Sequence, residues 1–241
     1  MALVHGIKPI VTSGLVLCLD AANRKSYPGI GTAWTDLSGN GNTGTLTNME
    51  VPGDYSTTNG GALTFDGVDE FVQINNPTTF HNQNFTISVW INPGVQDSNL
   101  ISLMDFDHTA FFHGWVIQSE NATGNRNYYL AWGTGGQFQP AGGFGNNIGI
   151  QITTSVWQNI VYSKNGTSLL GYSNGSQVFT PPTAGNSFVN YQSNKNVTIA
   201  KSTNNAGREF NGSISQVSIY NRALTATEIA QNYNALKSRY I

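Results

Sequence analysis

The chain has 241 residues, of which 10% are charged and 11% aromatic, and its formal net charge at pH 7 is −2. Abundant Gly, Asn, Ser and Thr beside so many aromatics exclude a disordered chain, and the scarcity of Ala, Glu, Lys and Leu excludes a helical one. No Lys/Arg cluster exceeds the pair Arg24-Lys25, which excludes a nucleic-acid grip, and no apolar run approaches the roughly 20 residues of a membrane helix.

From the N-terminus, Met1 to Ser13 is apolar but irregular and reads as an arm, expected to dock on a neighbouring subunit. Its first six residues lack the basic and apolar segments of a signal peptide, so a soluble, unprocessed chain is expected. Leu15-Val16-Leu17-Cys18-Leu19, ending at Asp20, predicts a buried strand in which the single Cys18 is a small apolar side chain. One cysteine forms no internal disulfide, which fits folding in a reducing cytoplasm.

Asp36-Leu37-Ser38-Gly39-Asn40-Gly41-Asn42-Thr43-Gly44 is dense in turn formers and predicts a loop. Ala62 to Phe65 and Glu70 to Ile74 are strands around the Asp66-Gly67 turn. Phe85 to Ile91 alternates, with Phe85, Ile87, Val89 and Ile91 toward a core and Thr86, Ser88 and Trp90 away from it. Further strands are predicted at 100–104, 115–119, 128–132, 157–163, 168–173, 197–200 and 214–220, with hairpin turns at Asn165-Gly166 and Asn174-Gly175. The glycine-rich stretch from Gly133 to Gly149 has no Lys-Ser/Thr ending and leads into no helix, so it reads as a surface loop. Near the C-terminus Thr225 and Glu228 form a capping box flanked by Leu224 and Ile229, and Ile229, Tyr233 and Leu236 give one short helix an apolar stripe. The expected fold is all-β: one two-sheet antiparallel β-sandwich over residues 14–241 with a short C-terminal α-helix, preceded by the arm at 1–13.

Several of these segments, in order, resemble the laminin-G-like branch of the concanavalin A-like lectin/glucanase superfamily, in the form common in bacterial surface proteins and bacteriophage structural proteins. They are Gly14 to Asn23, Asp36 to Asn42, the Phe65-Asp66-Gly67 turn leading to Phe71, Phe85 to Pro93, Trp157 to Tyr162, the Asn174-Gly175 hairpin, and Phe210-Asn211-Gly212 through Leu224 into the capped helix. The resemblance implies a concanavalin-like jelly roll. It further implies a virion structural protein, as capsid decoration or tail fibre, made in the bacterial host cytoplasm and oligomeric or lattice-bound. Its implied partners are other virion proteins and host-surface glycans, with neither nucleic acid nor membrane. The alternatives are a free carbohydrate-binding module and a glycoside hydrolase.

Many relatives carry an acidic pair on the final strand that contributes to a calcium site. Here those positions are Ser215 and Gln216, so no metal or other cofactor is expected, with a weaker calcium ion on the nearby Asp20, Asp36 and Asp66 as the alternative. The Glu-x-Asp-x-x-Glu pattern of the superfamily's glucanases is absent, and a non-enzymatic protein is expected. The nearest substitute is Asp105-Phe106-Asp107, whose carboxylates would share a strand face about 7 Å apart, followed by His108 and His113. Stacking of pyranose rings needs aromatic faces beside amides, and the candidates are Trp90, Trp115, Tyr128 and Trp132, with Gln118, Asn125 and Asn127 near in sequence.

Overall fold

A computed structural model describes residues 8–96, 100–107, 113–120, 126–139, 149–179 and 186–241. The first six strands are β1 (Leu15–Asp20), β2 (Ala33–Trp34), β3 (Gly44–Thr47), β4 (Tyr55–Ser56), β5 (Ala62–Asp66) and β6 (Phe71–Ile74). They are followed by β7 (Phe85–Pro93), β8 (Ser102–Phe106), β9 (Trp115–Glu120), β10 (Asn127–Gly133), β11 (Phe138–Gln139) and β12 (Ile150–Gln151). The last are β13 (Gln158–Asn165), β14 (Ser168–Ser173), β15 (Ser176–Phe179), β16 (Val197–Ile199) and β17 (Asn211–Tyr220), before helix α1 (Ala226–Leu236).

The strands form two antiparallel sheets. One runs β15-β14-β13-β7-β17-β5-β4 with β1 also paired to β17, and the other runs β11-β10-β9-β8-β16-β6-β3-β2 with β12 also paired to β10. The alternation read from β7 holds: Phe85, Ile87, Val89 and Ile91 enter the layer between the sheets, where they meet Met104, Phe106, Trp115, Ile117, Val197 and Ile199 from the second sheet. Cys18 is buried, and burial pushes its thiol up to about 11. The strands left unread in sequence are chiefly the short β2, β3, β4, β11 and β12, two to four residues each, which carry too few positions to show a period.

Strand β17 has β7 along one edge. Its other edge is shared, β5 pairing the first half from Asn211↔Asp66 to Ile214↔Leu63, and β1 the second from Gln216↔Asp20 to Tyr220↔Leu15. The pairing with β7 slips between Ile214 and Gln216, which makes Ser215 a bulge at the change of partner. The Ser215 carbonyl accepts from Ala21 N, and its hydroxyl donates to the Gly61 carbonyl while receiving Tyr240 OH. Gly61 has φ +141°, and a Cβ there would lie 2.4 Å from the Ala21 carbonyl oxygen, so only glycine fits.

Thr225 and Glu228 form the expected reciprocal cap, and Arg222 closes on Glu228 at 2.6 and 3.0 Å, which holds that carboxyl at about 2. The helix covers the outer face of the first sheet. Ile229 and Leu224 pack on Val161, Tyr172 and Tyr220, while Leu236 and Tyr240 pack on Trp90. The arm, from Lys8 onward, lies along the same helix. Val11 N donates to Asn232 Oδ1 at 2.8 Å and Gln231 Nε2 to the Pro9 carbonyl at 2.8 Å. Residues 1–7 lie outside the described residues. Among those described, no helix is long and apolar enough to cross a membrane.

Trp90 stacks on Tyr240 with ring centroids 4.0 Å apart and on Tyr233 at 5.6 Å. Trp90→Ala therefore empties the space under the helix and is expected to cost about 3–5 kcal/mol, read as a lowered urea midpoint. A loss under 1 kcal/mol would show that the helix is not seated on this ring.

Candidate functional site

The four aromatics offered as a sugar platform are all interior, with relative exposures of 0–1%. Trp115, Tyr128 and Trp132 point between the sheets, because the alternation of β9 and β10 puts them on the same side as Ile117 and Leu130. Trp115 lies 5.7 Å from Phe106, and Trp132 lies under the Lys164 ammonium at 4.7 Å. Trp90 faces away from that layer, as its strand parity requires, but α1 and Tyr240 cover it. None of the four offers a ring face to a sugar. Of their sequence neighbours, Gln118 is buried, Asn127 is half-buried and Asn125 lies outside the described residues.

The acid pair is separated in role by its partners. Asp105 is fully buried, and its carboxylate accepts from Ser202 Oγ at 2.9 Å, Thr203 N at 3.1 Å and Thr203 Oγ1 at 3.0 Å. A carboxylate so enclosed fastens the loop between β16 and β17 to β8 and has no route to a glycosidic oxygen. Asp107, one residue past β8, pairs through Oδ1 with Lys195 Nζ at 3.2 Å. His108 lies outside the described residues, and His113 Nε2 lies 3.3 Å from the Gln192 side-chain amide. Among the described residues no group of three or more His, Cys, Asp or Glu side chains could hold a metal ion.

The residues at the calcium position do not fit a divalent cation. Asp20 receives Arg239 Nη1 on both oxygens at 2.9 and 3.0 Å, so a guanidinium already neutralises it. Ser215 is engaged by Gly61 and Tyr240, and Gln216 donates to Ser218 Oγ. Asp36 takes four donors, from Cys18 N, Ser38 N, Ser38 Oγ and Asn42 N, and thereby shapes the loop read from its Gly and Asn residues. Asp66 accepts from Val68 N and caps its turn.

A second acid departs from its ordinary behaviour. Glu70 is buried beside Asp54 and Asp66 and accepts from Asp66 N, and burial, together with the neighbouring carboxylates, pushes it up to about 7. Its folded value exceeds the unfolded one of about 4.3, so its contribution is fully present below about pH 4.3 and is lost as pH rises through 7. Glu70→Gln should flatten that window and raise the melting temperature at pH 8 relative to the parent chain. Unchanged pH dependence between 4.5 and 8 would refute this.

Besides a cleft of about 230 Å³ lined by Asp66, Gly67, Gln96, Ile101, Gly207, Glu209 and Asn211, a polar cleft of about 220 Å³ opens on the outer face of the second sheet, lined by Gln73, Asp107, Asn194, Lys195, Asn196, Thr198, Thr203 and Asn204. The register Gln73↔Thr198↔Asp105 sets its floor across β6, β16 and β8. Two rim residues sit in the left-handed region, Asp107 at φ +55° and Asn194 at φ +58°, where Asn and Asp are the side chains best tolerated. The Asp107 side chain is 3% exposed, and its Oδ2 has no hydrogen-bond partner. Sequence reasoning found Asp107 as half of an acid pair. It missed Lys195, Asn194 and Asn196, which nothing in sequence separates from any other Asn- and Lys-bearing turn.

A laminin-G model of the concanavalin A-like lectin/glucanases superfamily matches residues 66–230. Together with the two-sheet sandwich this defines the class, and the chain belongs to the concanavalin A-like lectin/glucanase superfamily. Among solved structures, it is similar to domain 4 of AbnA, a GH43 extracellular arabinanase from Geobacillus stearothermophilus, in complex with arabinotriose. The TM-score is 0.63 at 17% identity, over 92% of this chain and 98% of that one. Trypanosoma rangeli sialidase in complex with the inhibitor DANA gives 0.63 at 14% identity over 99% of this chain, which spans only 37% of the sialidase. The HCR/D W1238A mutant gives 0.64 at 13% identity over 92% and 52%. At these identities the likeness is one of fold. No curated protein matches.

Proposed function

We propose that the chain is a non-enzymatic module that contacts saccharide through the cleft beside Asp107. The observation that carries this reading is the cleft itself: among the described residues its lining is polar and holds one positive and one negative side chain, Lys195 and Asp107, which pair with each other. Glycoside hydrolysis needs two carboxyl groups flanking the bond, and the nearest partner, Asp105, is buried and hydrogen-bonded. The similarity over nearly the whole of an arabinotriose-bound domain supports binding as the use of this fold, although fold alone assigns no function. A panel of neutral oligosaccharides should give micromolar-to-millimolar binders with no release of reducing ends after long incubation at several pH values. Either cleavage or a panel without binders would reject the reading.

The setting we propose is the one the resemblance implies, display on a phage particle as capsid decoration or tail-fibre component, among other virion proteins and facing host-surface glycans. Antibody to the chain should label heads or tails of purified particles. Unlabelled particles would remove the virion setting and leave the binding module standing.

A further inference from the structure

We infer that the cleft where β5, β7 and β17 meet receives a cationic side chain of a partner protein, an arginine or lysine flanked by apolar residues, with Asp66 and Glu209 as its counter-charges. This surface is separate from the cleft beside Asp107 and does not rest on saccharide binding there. The registers Asn211↔Asp66 and Gly212↔Pro93 set the ends of β5 and β7 on either side of the start of β17. Asn211 ties the two together. Its carbonyl accepts from Gly94 N at 3.0 Å and its N donates to Gln96 Oε1 at 3.0 Å, while a Cβ on Gly67 would lie 3.0 Å from the Asn211 Cβ. The Arg208 carbonyl accepts from Ser102 N, which brings Glu209 and Ile101 into the same wall.

Glu209 is 8% exposed, yet among the described residues nothing donates to its carboxylate. Its oxygens are not among the fully enclosed, unpartnered side-chain atoms, so they open onto the cleft, unlike Asp107 Oδ2. Asp66 presents a second carboxylate there, with Oδ1 accepting from Val68 N. A carboxylate withdrawn from bulk water without a donor is costly, and two of them in one cleft call for a positive charge. The chain itself does not supply it. All 11 Lys and Arg residues fall within the described residues, and none lines this cleft. Arg208, next in sequence to Glu209, turns to Gln118 Oε1 at 3.4 Å, and Arg126 donates to the Gln96 carbonyl and Ser119 Oγ.

The remaining lining favours an organic cation over a metal ion. A hard divalent cation wants several oxygens, but Gln96 Oε1 is committed to Asn211 N, and the Asn211 carbonyl to Gly94 N and Gln96 Nε2. Ile101 gives an apolar wall for the aliphatic stem of an arginine or lysine, whose head then lies between the carboxylates. Val68 and Val95, beside Gly67 and Gln96 in the chain, are 68% and 71% exposed. An exposed apolar pair at an acidic cleft suits a segment that carries apolar residues on either side of its cation.

The test titrates the full chain with capped pentapeptides Ala-Leu-Xaa-Leu-Ala, where Xaa is arginine or its neutral isostere citrulline, and with calcium chloride alone, followed by amide NMR. The arginine peptide is expected to shift the amides of Gly67, Val68, Val95, Gln96 and Glu209, and the citrulline peptide to bind about tenfold more weakly. Glu209→Gln, at a side chain the fold leaves unbonded, should weaken the arginine peptide by about tenfold without lowering the melting temperature. Asp66→Asn keeps an Oδ1 acceptor for Val68 N and supplies a second variant with the same expected loss. Equal affinity for the two peptides, no shift at these amides, or binding that survives both substitutions would overturn the inference. Calcium moving these amides while the arginine peptide leaves them unmoved would overturn it too, and make the cleft a metal site.

Discussion

The pairing of β7 with β17 is the constraint on which the rest depends, because here the two longest strands are dry on both faces of the sheet. Toward the second sheet the pair presents Ile87, Val89, Ile91, Val217 and Ile219; on the other side Trp90 and Tyr220 lie under the helix. The partners are remote in sequence: Thr86 Oγ1 reaches the Arg222 carbonyl across 136 residues and also accepts from Leu224 N. Such a contact gains nothing until the intervening chain is ordered, so the sandwich and its C-terminal cover form together or not at all.

The bulge at Ser215 shows how that cover is fixed. The extra residue at the junction of β5 and β1 puts the serine hydroxyl between the Gly61 carbonyl and Tyr240 OH. Arg239, beside Tyr240, reaches Asp20 at the end of β1, and Asn59 Nδ2 donates to the Arg239 carbonyl. The C-terminal residues thus bind the bulge of β17, the end of β1 and the turn before β5. Of these contacts the Arg239 guanidinium is the one that neutralises Asp20, which is why the buried carboxylate at the end of β1 carries no unpaired charge.

How much of this was legible in the sequence follows from the range of each signal. Periodicity and capping are local, so β7, β10, β13 and β14 were readable within a few residues, and the Thr225–Glu228 box was readable to the residue. Burial of outward-facing side chains depends on distant elements. Nothing near Trp90 announces that Tyr240 will lie on it, and parity alone left it looking exposed. Lys164 is the sharpest instance: its ammonium is enclosed by the carbonyls of Gln83, Gly166 and Ser187 at 2.6, 3.0 and 2.8 Å and faces the Trp132 ring, and burial lowers it to about 8. In sequence it is an ordinary lysine before an Asn-Gly turn. The Asp105–Asp107 pair was visible as a strand-face repeat, but only the loop carrying Ser202 and Thr203 distinguishes the acid it encloses from the one paired with Lys195.

That distinction explains why a strained, partly unsatisfied group can persist on this fold. Asp105 and Asp107 leave the same strand with opposite outcomes, one bonded beneath a loop and one with a buried oxygen that has no hydrogen-bond partner at the strand end. Below them Phe106 packs against Phe80, Trp115 and Tyr191, so the strand end cannot shift to relieve Asp107 without breaking that aromatic cluster. Rigid apolar packing on the inner face therefore holds the polar outer face in a conformation it would not adopt alone.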